Sequence, residues 1–157
     1  MASRRVWSRK KLPRVLIVED ELLIALMIDE MVRQIGYTVS GIAHTSAEAR
    51  LEFAKRNFDA VLLDYSLDRV PNPELADALL KRGIPFAFLT GYDYIIEPRH
   101  EKIPLLQKPF TPAQLRALLA ELLGPQAAGA ELTERLQALR DFGPYLTATD
   151  KMRPSQH

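Results

Sequence analysis

A chain of 157 residues, 47% hydrophobic and 26% charged, has room for one domain with a full core plus short extensions, and not for two. It contains no cysteine, which excludes a disulfide framework and a thiolate metal centre and is compatible with a reducing, cytoplasmic setting. The net charge of +1 conceals an asymmetry: six of the 21 basic residues (Arg4, Arg5, Arg9, Lys10, Lys11 and Arg14) precede Glu19, the first acidic residue, so the remainder carries 15 basic against 20 acidic side chains.

That basic arm, residues 1–12, is read as a solvated terminus, with nucleic acid or an anionic surface as the alternative partner. The apolar runs Val15–Val18 and Val61–Leu63 are far too short to span a bilayer, and no apolar signal core follows the basic start. A soluble chain without a membrane association is expected.

In chain order, "PRVLIVE" (13–19) predicts a buried strand, and "ELLIALMIDEMVRQIG" (21–36) a helix that places Leu22, Leu26, Asp29 and Val32/Arg33 on a rough helical period and stops at Gly36. "YTVSGIA" (37–43) reads as a strand and "SAEARLEFAKRN" (46–57) as a short helix capped by Ser46. "DAVLLD" (59–64) is a third strand; a loop with Pro71 and Pro73 then leads into the helix "PELADALLKRG", ending at Gly83. "IPFAFLT" (84–90) is the fourth strand. After it, "GYDYIIEPRHEKIP" carries Pro98 and Pro104 and offers too few residues for a normal helix, so a short or irregular fourth helix is expected. "IPLLQ" (103–107) is the fifth strand, and "TPAQLRALLAELLG" (111–124) a capped amphipathic helix with proline in its first turn.

Residues 125–157 form an extension. Within it, 130–142 place Leu132, Leu136, Leu139 and Phe142 on one stripe, an amphipathic helix that covers the protein's own flank or meets a partner or a second copy. A disordered tail is expected after it. Strands made of unbroken apolar residues belong in a sheet covered on both faces. Five of them with intervening helices imply an α/β, doubly wound, five-stranded parallel sheet over residues 13–124.

In such a sheet the functional site lies beyond the carboxyl ends of the strands. Strand one ends in Glu19-Asp20, strand three in Asp64, strand four in Thr90 and strand five runs into Lys108. Singly, these are helix caps, a turn residue and a surface lysine; jointly, they converge. Clustered carboxylates in a partly desolvated cleft repel one another and call for a cation. Mg²⁺, or Mn²⁺, suits oxygen ligands and leaves room for phosphate. A carboxylate nucleophile can then form an acyl phosphate, with the lysine and threonine on the other phosphoryl oxygens.

The motifs "LIVED" (16–20), "VLLDYSL" (61–67), "FLTG" (88–91) and "QKPF" (107–110), in this order, resemble the receiver domains of two-component response regulators over residues 13–124. The resemblance implies a flavodoxin-like sheet of order 2-1-3-4-5, with Asp64 as phosphoacceptor. It implies Asp20 as direct metal ligand, Glu19 as the second acidic residue, and the carbonyl of Ser66 as the third protein ligand besides Asp64. Thr90 would be the switch hydroxyl beside Gly91, which keeps access open, and Lys108 the phosphate-contacting cation. A cis peptide between Lys108 and Pro109 is also implied.

Two departures stand out. Receivers with the common switch carry an aromatic three residues before the lysine, and here that residue is Leu105. Instead "FLTGY" resembles a subfamily of single-domain receivers marked by Phe-Ala-Thr-Gly and an aromatic, with Leu89 in the alanine position. In that group the segment after the motif is mobile, and the donors are histidine kinases of the HWE and HisKA2 types. Tyr92 and Tyr94 are the nearest replacements for the aromatic missing at Leu105, packing over the sheet end being their plain alternative. The loop "SLDRVPNP" after Asp64 also departs from the usual proline and glycine pattern, which leaves its shape open.

Three functions remain. The first is a single-domain response regulator taking phosphate from a histidine kinase or phosphotransfer protein and signalling to a downstream protein target, with a homodimer as a further candidate. It would catalyse only its own phosphorylation and dephosphorylation. No DNA-binding output is expected, since the residues after Gly124 are too few for a winged helix. The second is a non-phosphorylated pseudoreceiver. The third, a phosphatase of the haloacid dehalogenase type, needs Asp-x-Asp, whereas "DYSLD" puts Asp68 four residues after Asp64. A flavin-binding relative would carry a Ser/Thr/Gly-rich phosphate loop after the first strand, and none follows it here.

Overall fold

The computed structural model describes residues 11–91 and 95–124. Along the chain run β1 (Arg14–Val18), α1 (Leu22–Ile35), β2 (Thr38–Ala43), α2 (Ser46–Lys55) and β3 (Ala60–Asp64). Two short strands follow, β4 (Ser66–Leu67) and β5 (Val70–Pro71), then α3 (Pro73–Lys81), β6 (Phe86–Thr90), a 3-10 turn at Pro98–His100, β7 (Leu105–Gln107) and α4 (Pro112–Leu123). The main sheet is parallel with order β2-β1-β3-β6-β7, the expected order for its five strands.

Alternation within each central strand divides the core in two, which is why these strands read as unbroken apolar runs. Leu16, Val18, Leu63 and Phe88 face Phe53 of α2 and Leu75 and Leu79 of α3. Val15, Ile17, Leu62 and Leu89 face Ile28 and Val32 of α1 and Leu115 and Leu119 of α4. All residues of β3 and β6 are buried, whereas the edge strands β2 and β7 are mostly half-buried or exposed.

Three local readings are corrected. The buried stripe of α1 is Ala25, Ile28, Val32 and Ile35, while Leu22 and Leu26 are exposed. Because Leu22–Ile28 is an unbroken apolar run, periodicity alone selects a stripe one residue off. The cap of α2 is Thr45, whose hydroxyl accepts from Glu48 N at 3.1 Å; Ser46 is the first helical residue. The stretch read as a loop after Asp64 holds the antiparallel pair β4–β5, closed by Asp68 (φ 54) and Arg69 (φ 62). Two successive left-handed residues match the twist of a tight hairpin turn, which ordinarily calls for asparagine or glycine. Asp68 N donates to Asp20 Oδ2 at 2.9 Å and helps hold the turn.

Other ends follow the sequence. Gly36 takes φ 104 and Tyr37 N bonds back to the Val32 carbonyl at 3.1 Å, closing α1. Thr111 accepts from Gln114 N at 3.2 Å while the Gln114 side chain accepts from Thr111 N at 2.8 Å, a reciprocal capping box at α4. Thr111→Ala is expected to lower stability by about 1 kcal/mol in urea denaturation. Between β6 and β7 the described residues contain one 3-10 turn and no α-helix, in line with the irregular connection expected from Pro98 and Pro104. The amphipathic segment 130–142 lies outside the described residues.

Candidate functional site

Parallel strands deliver their carboxyl ends to one edge, so Glu19-Asp20, Asp64, Thr90 and Lys108 follow β1, β3, β6 and β7 at the same end of the sheet. Glu19 is wholly buried, Asp64 and Thr90 are buried, and Asp20 is half-buried. One oxygen from each of Glu19, Asp20 and Asp64 lies within 4.8 Å of the others. Lys108 joins them: its Nζ donates to Asp64 Oδ2 at 2.8 Å and to Glu19 Oε2 at 2.5 Å.

The other oxygens of Asp64 and Glu19 are held by main-chain donors. Asp64 Oδ1 accepts from Ser66 N at 3.0 Å and Glu19 Oε1 from Glu21 N at 3.2 Å. The Glu19 carbonyl meets His44 Nδ1 at 2.9 Å. Burial is the largest influence on Glu19; with the Asp64 charge it outweighs the Lys108 contacts and raises the carboxyl to about 7. Burial also works against the Lys108 ammonium, but its hydrogen bonds to Asp64 and Glu19 prevail and hold it above its ordinary range. An all-oxygen set of three carboxylates, with one lysine to neutralise them and one member resisting ionisation, fits a hard divalent cation such as Mg²⁺ or Mn²⁺.

Glu19, Asp20, Asp64, Ser66 and Lys108 are thus brought together. Thr90 is one step beyond Leu89, the register partner of Asp64, and its hydroxyl donates to the Gly91 carbonyl at 3.1 Å. The Thr90 carbonyl accepts from Lys108 N at 2.8 Å, which positions the lysine backbone. A Cβ added at Gly91 meets nothing within 4 Å among the described residues, so its surroundings are open. The Lys108–Pro109 peptide is cis. Tyr92 and Tyr94 lie outside the described residues.

Sequence reasoning missed two groups, one directly after Asp64 and one in the connection between β6 and β7. Tyr65, directly after Asp64, is buried with its ring edge-on to Phe88 (centroids 5.1 Å, 88°). Its hydroxyl donates to the Ile95 carbonyl at 3.4 Å and accepts from Glu97 N at 3.2 Å. His100 is fully buried, with Nε2 2.7 Å from Asp77 Oδ1 and its ring 5.8 Å from Phe88. Arg99 grips the same Asp77 through Nε at 3.1 Å and Nη2 at 3.0 Å. The Arg99 hydrogen bond, then that of His100, holds the Asp77 carboxyl below its usual range. A strand-end tyrosine signals only core packing in a sequence, and a lone histidine after a proline carries no periodicity.

Beside the carboxylates lies an apolar groove of about 250 Å³, lined by Ile24, Met27, Ile28, Met31 and the Lys108-Pro109-Phe110 run. Next to it on α1, Leu22, Leu23 and Leu26 are 57%, 75% and 49% exposed, an unusual concentration of apolar surface at a helix start.

No protein-family model matches the chain. The Phyllosphere-induced regulator PhyR of Methylorubrum extorquens is 32% identical over 114 residues, covering 69% of this chain and 43% of PhyR, so the chain spans under half the length of that relative. Among solved structures, SdrG from Sphingomonas melonis Fr1 is 38% identical with a TM-score of 0.65, covering 72% of this chain and 98% of SdrG. The REC domain of the PhyR response regulator from Erythrobacter litoralis is 28% identical with a TM-score of 0.63, covering 71% of this chain and 90% of that domain.

Proposed function

The chain belongs to the receiver family of response regulators, and from that premise we propose that it is a phosphorylated signalling protein whose phosphoacceptor is Asp64. The observation that carries this reading is the Asp64 carboxylate flanked by Glu19 and Asp20 and bonded at 2.8 Å by Lys108. An Asp64 oxygen attacks the phosphorus of a phosphohistidine; the nitrogen–phosphorus bond breaks and its electron pair stays on the imidazole. Lys108 exchanges a carboxylate partner for a phosphoryl oxygen, and the Thr90 hydroxyl, now on the Gly91 carbonyl, is free to turn to another. Glu19, Asp20, Asp64 and the Ser66 carbonyl are the residues to hold Mg²⁺ or Mn²⁺, which when bound supplies positive charge against the phosphoryl oxygens.

The donor is a histidine kinase, of the HWE or HisKA2 type in keeping with the "FLTGY" motif, or a phosphotransfer protein. Its docking surface is the groove beside Lys108 and the exposed leucines of α1, apolar and adjacent to the phosphoacceptor. Output runs through contact with a downstream protein in the cytoplasm, the added phosphoryl group bringing about −1.5 to −2 charge to the sheet edge.

Intact-mass measurement with acetyl phosphate and Mg²⁺ tests the reading. A single phosphoryl adduct is expected on the wild-type chain, lost with EDTA and absent in Asp64→Asn. An adduct that persists in Asp64→Asn would remove Asp64 from its role. No adduct with acetyl phosphate or with any kinase of a phosphotransfer panel would make the chain a pseudoreceiver that works by binding alone.

A further inference from the structure

Both oxygens of Asp64 are already engaged, Oδ1 by Ser66 N and Oδ2 by Lys108 Nζ. Any change in the bonding of this carboxylate must therefore disturb a contact on one side of Tyr65 or across the site from it. Tyr65 itself has little freedom to absorb the change. Its N–H donates to the Leu89 carbonyl at 3.0 Å, its carbonyl accepts from Asn72 N at 3.1 Å, and its ring is packed edge-on against Phe88. The tip of the ring reaches the main chain at Ile95 and Glu97.

Besides the packing of Ile96 against the core and of the His100 ring against Phe88, the 95–100 segment that receives it has, among the described residues, two sets of side-chain polar anchors from outside the segment. One is the Tyr65 hydroxyl; the other is Asp77 of α3, which holds Arg99 and His100. The Asp77 anchor is half-exposed and belongs to α3, whereas Tyr65 is the covalent neighbour of Asp64. Leu105, where an aromatic would serve as a switch, is 42% exposed on the edge strand and has no polar atom with which to report on the site.

We propose that Tyr65 is a positioning residue that couples Asp64 to the 95–100 segment, its hydroxyl passing changes in carboxylate bonding to the main chain at Ile95 and Glu97. This rests on the reading of Asp64 as phosphoacceptor for the identity of the signal. The coupling itself is a property of the two residues and can be measured with or without phosphate. Tyr65→Phe keeps the ring and its packing on Phe88 and removes only the hydroxyl.

The experiment is amide hydrogen exchange at Glu97 in the full chain, in a cycle of wild type, Asp64→Asn, Tyr65→Phe and the double variant. Tyr65→Phe alone is expected to speed Glu97 exchange by roughly fivefold to tenfold, the fold-change of one net hydrogen bond. Asp64→Asn is expected to shift Glu97 exchange by about threefold or more in the wild-type background and by less than about 1.5-fold in the Tyr65→Phe background. Acetyl phosphate with Mg²⁺ is expected to reproduce that pattern, with Tyr65→Phe gaining its adduct to the same extent as wild type. Equal responses at Glu97 in both backgrounds overturn the coupling. If acetyl phosphate labels neither protein, the phosphoacceptor reading fails, and the asparagine cycle still decides the role of Tyr65.

Discussion

Phe88→Ala is expected to destabilise the fold by about 4 kcal/mol in urea or thermal denaturation, the loss typical of a large aromatic removed from a core that cannot collapse around the gap. Phe88 is wholly buried on β6, between β3 and β7, and meets three rings among the described residues: Tyr65 at 5.1 Å, Phe86 at 5.6 Å and His100 at 5.8 Å. The first two pairs are edge-on at 88°, a favoured aromatic geometry worth about 1 kcal/mol each beyond burial. The loss also has a place. Tyr65 and His100 anchor the 95–100 segment from beneath, so exchange there should accelerate more than in β1 or β3, measured as residue-resolved protection below the global transition. Phe88→Leu, closer in volume, is expected to cost about 1.5 kcal/mol; equal losses for both variants would show that the aromatic packing contributes little.

The second large effect is a pH dependence that a divalent cation reverses. Glu19 has an ordinary value of 4.5 and is raised to about 7 in the fold, chiefly by burial. A raised value means that the folded state holds its proton more tightly than the unfolded chain. The stabilisation is complete below about 4.5 and is lost as pH climbs through about 7. Chelated protein should therefore lose up to about 3 kcal/mol between pH 5 and pH 8, read as a falling urea midpoint. Millimolar Mg²⁺ should restore most of that loss at pH 8 by binding the ionised cluster, and only a little at pH 5. Glu19→Gln should flatten the chelated profile and weaken Mg²⁺ binding by about tenfold, since one charged ligand is gone. Asp77 acts in the opposite sense: its lowered carboxyl contributes above its unfolded range and is lost as pH falls through its folded value, well below this window. A chelated midpoint that rises from pH 5 to pH 8 would contradict the burial of Glu19 as the governing influence.

Much of this architecture is legible in the chain because burial on both faces leaves an unmistakable mark. VLIV, AVLLD and FAFLT read as interior strands, and the polar residue that ends each run marks the edge of the sheet where the carboxylates gather. What stayed hidden had physical reasons. The β4–β5 hairpin turns on Asp68 and Arg69, residues that do not announce a left-handed conformation as glycine does. The period through Leu22, Leu26 and Asp29 does not single out the buried face of α1, because the helix carries apolar side chains both toward the core and outward beside the groove. Tyr65 and His100 derive their roles from partners some 20 to 30 residues away, which no local pattern encodes. The basic arm up to Lys10, Tyr92, Tyr94 and the extension from 125 onward lie outside the described residues.

Across the working edge the strand order β1, β3, β6, β7 is also an order of chemical functions: an acid pair, a carboxylate at the centre, a hydroxyl and an ammonium. Three interstrand steps of roughly 4.8 Å separate the first from the last at the main chain. The Lys108–Glu19 ion pair closes that span with two side chains, passing over the ends of both strands between. It works as a strap of side chains laid over the end of a sheet whose last ladder bonds there include Tyr65 N to the Leu89 carbonyl and Lys108 N to the Thr90 carbonyl. A ligand that draws Lys108 away would remove that side-chain link and leave β1 and β7 joined through the hydrogen-bonded strands between them.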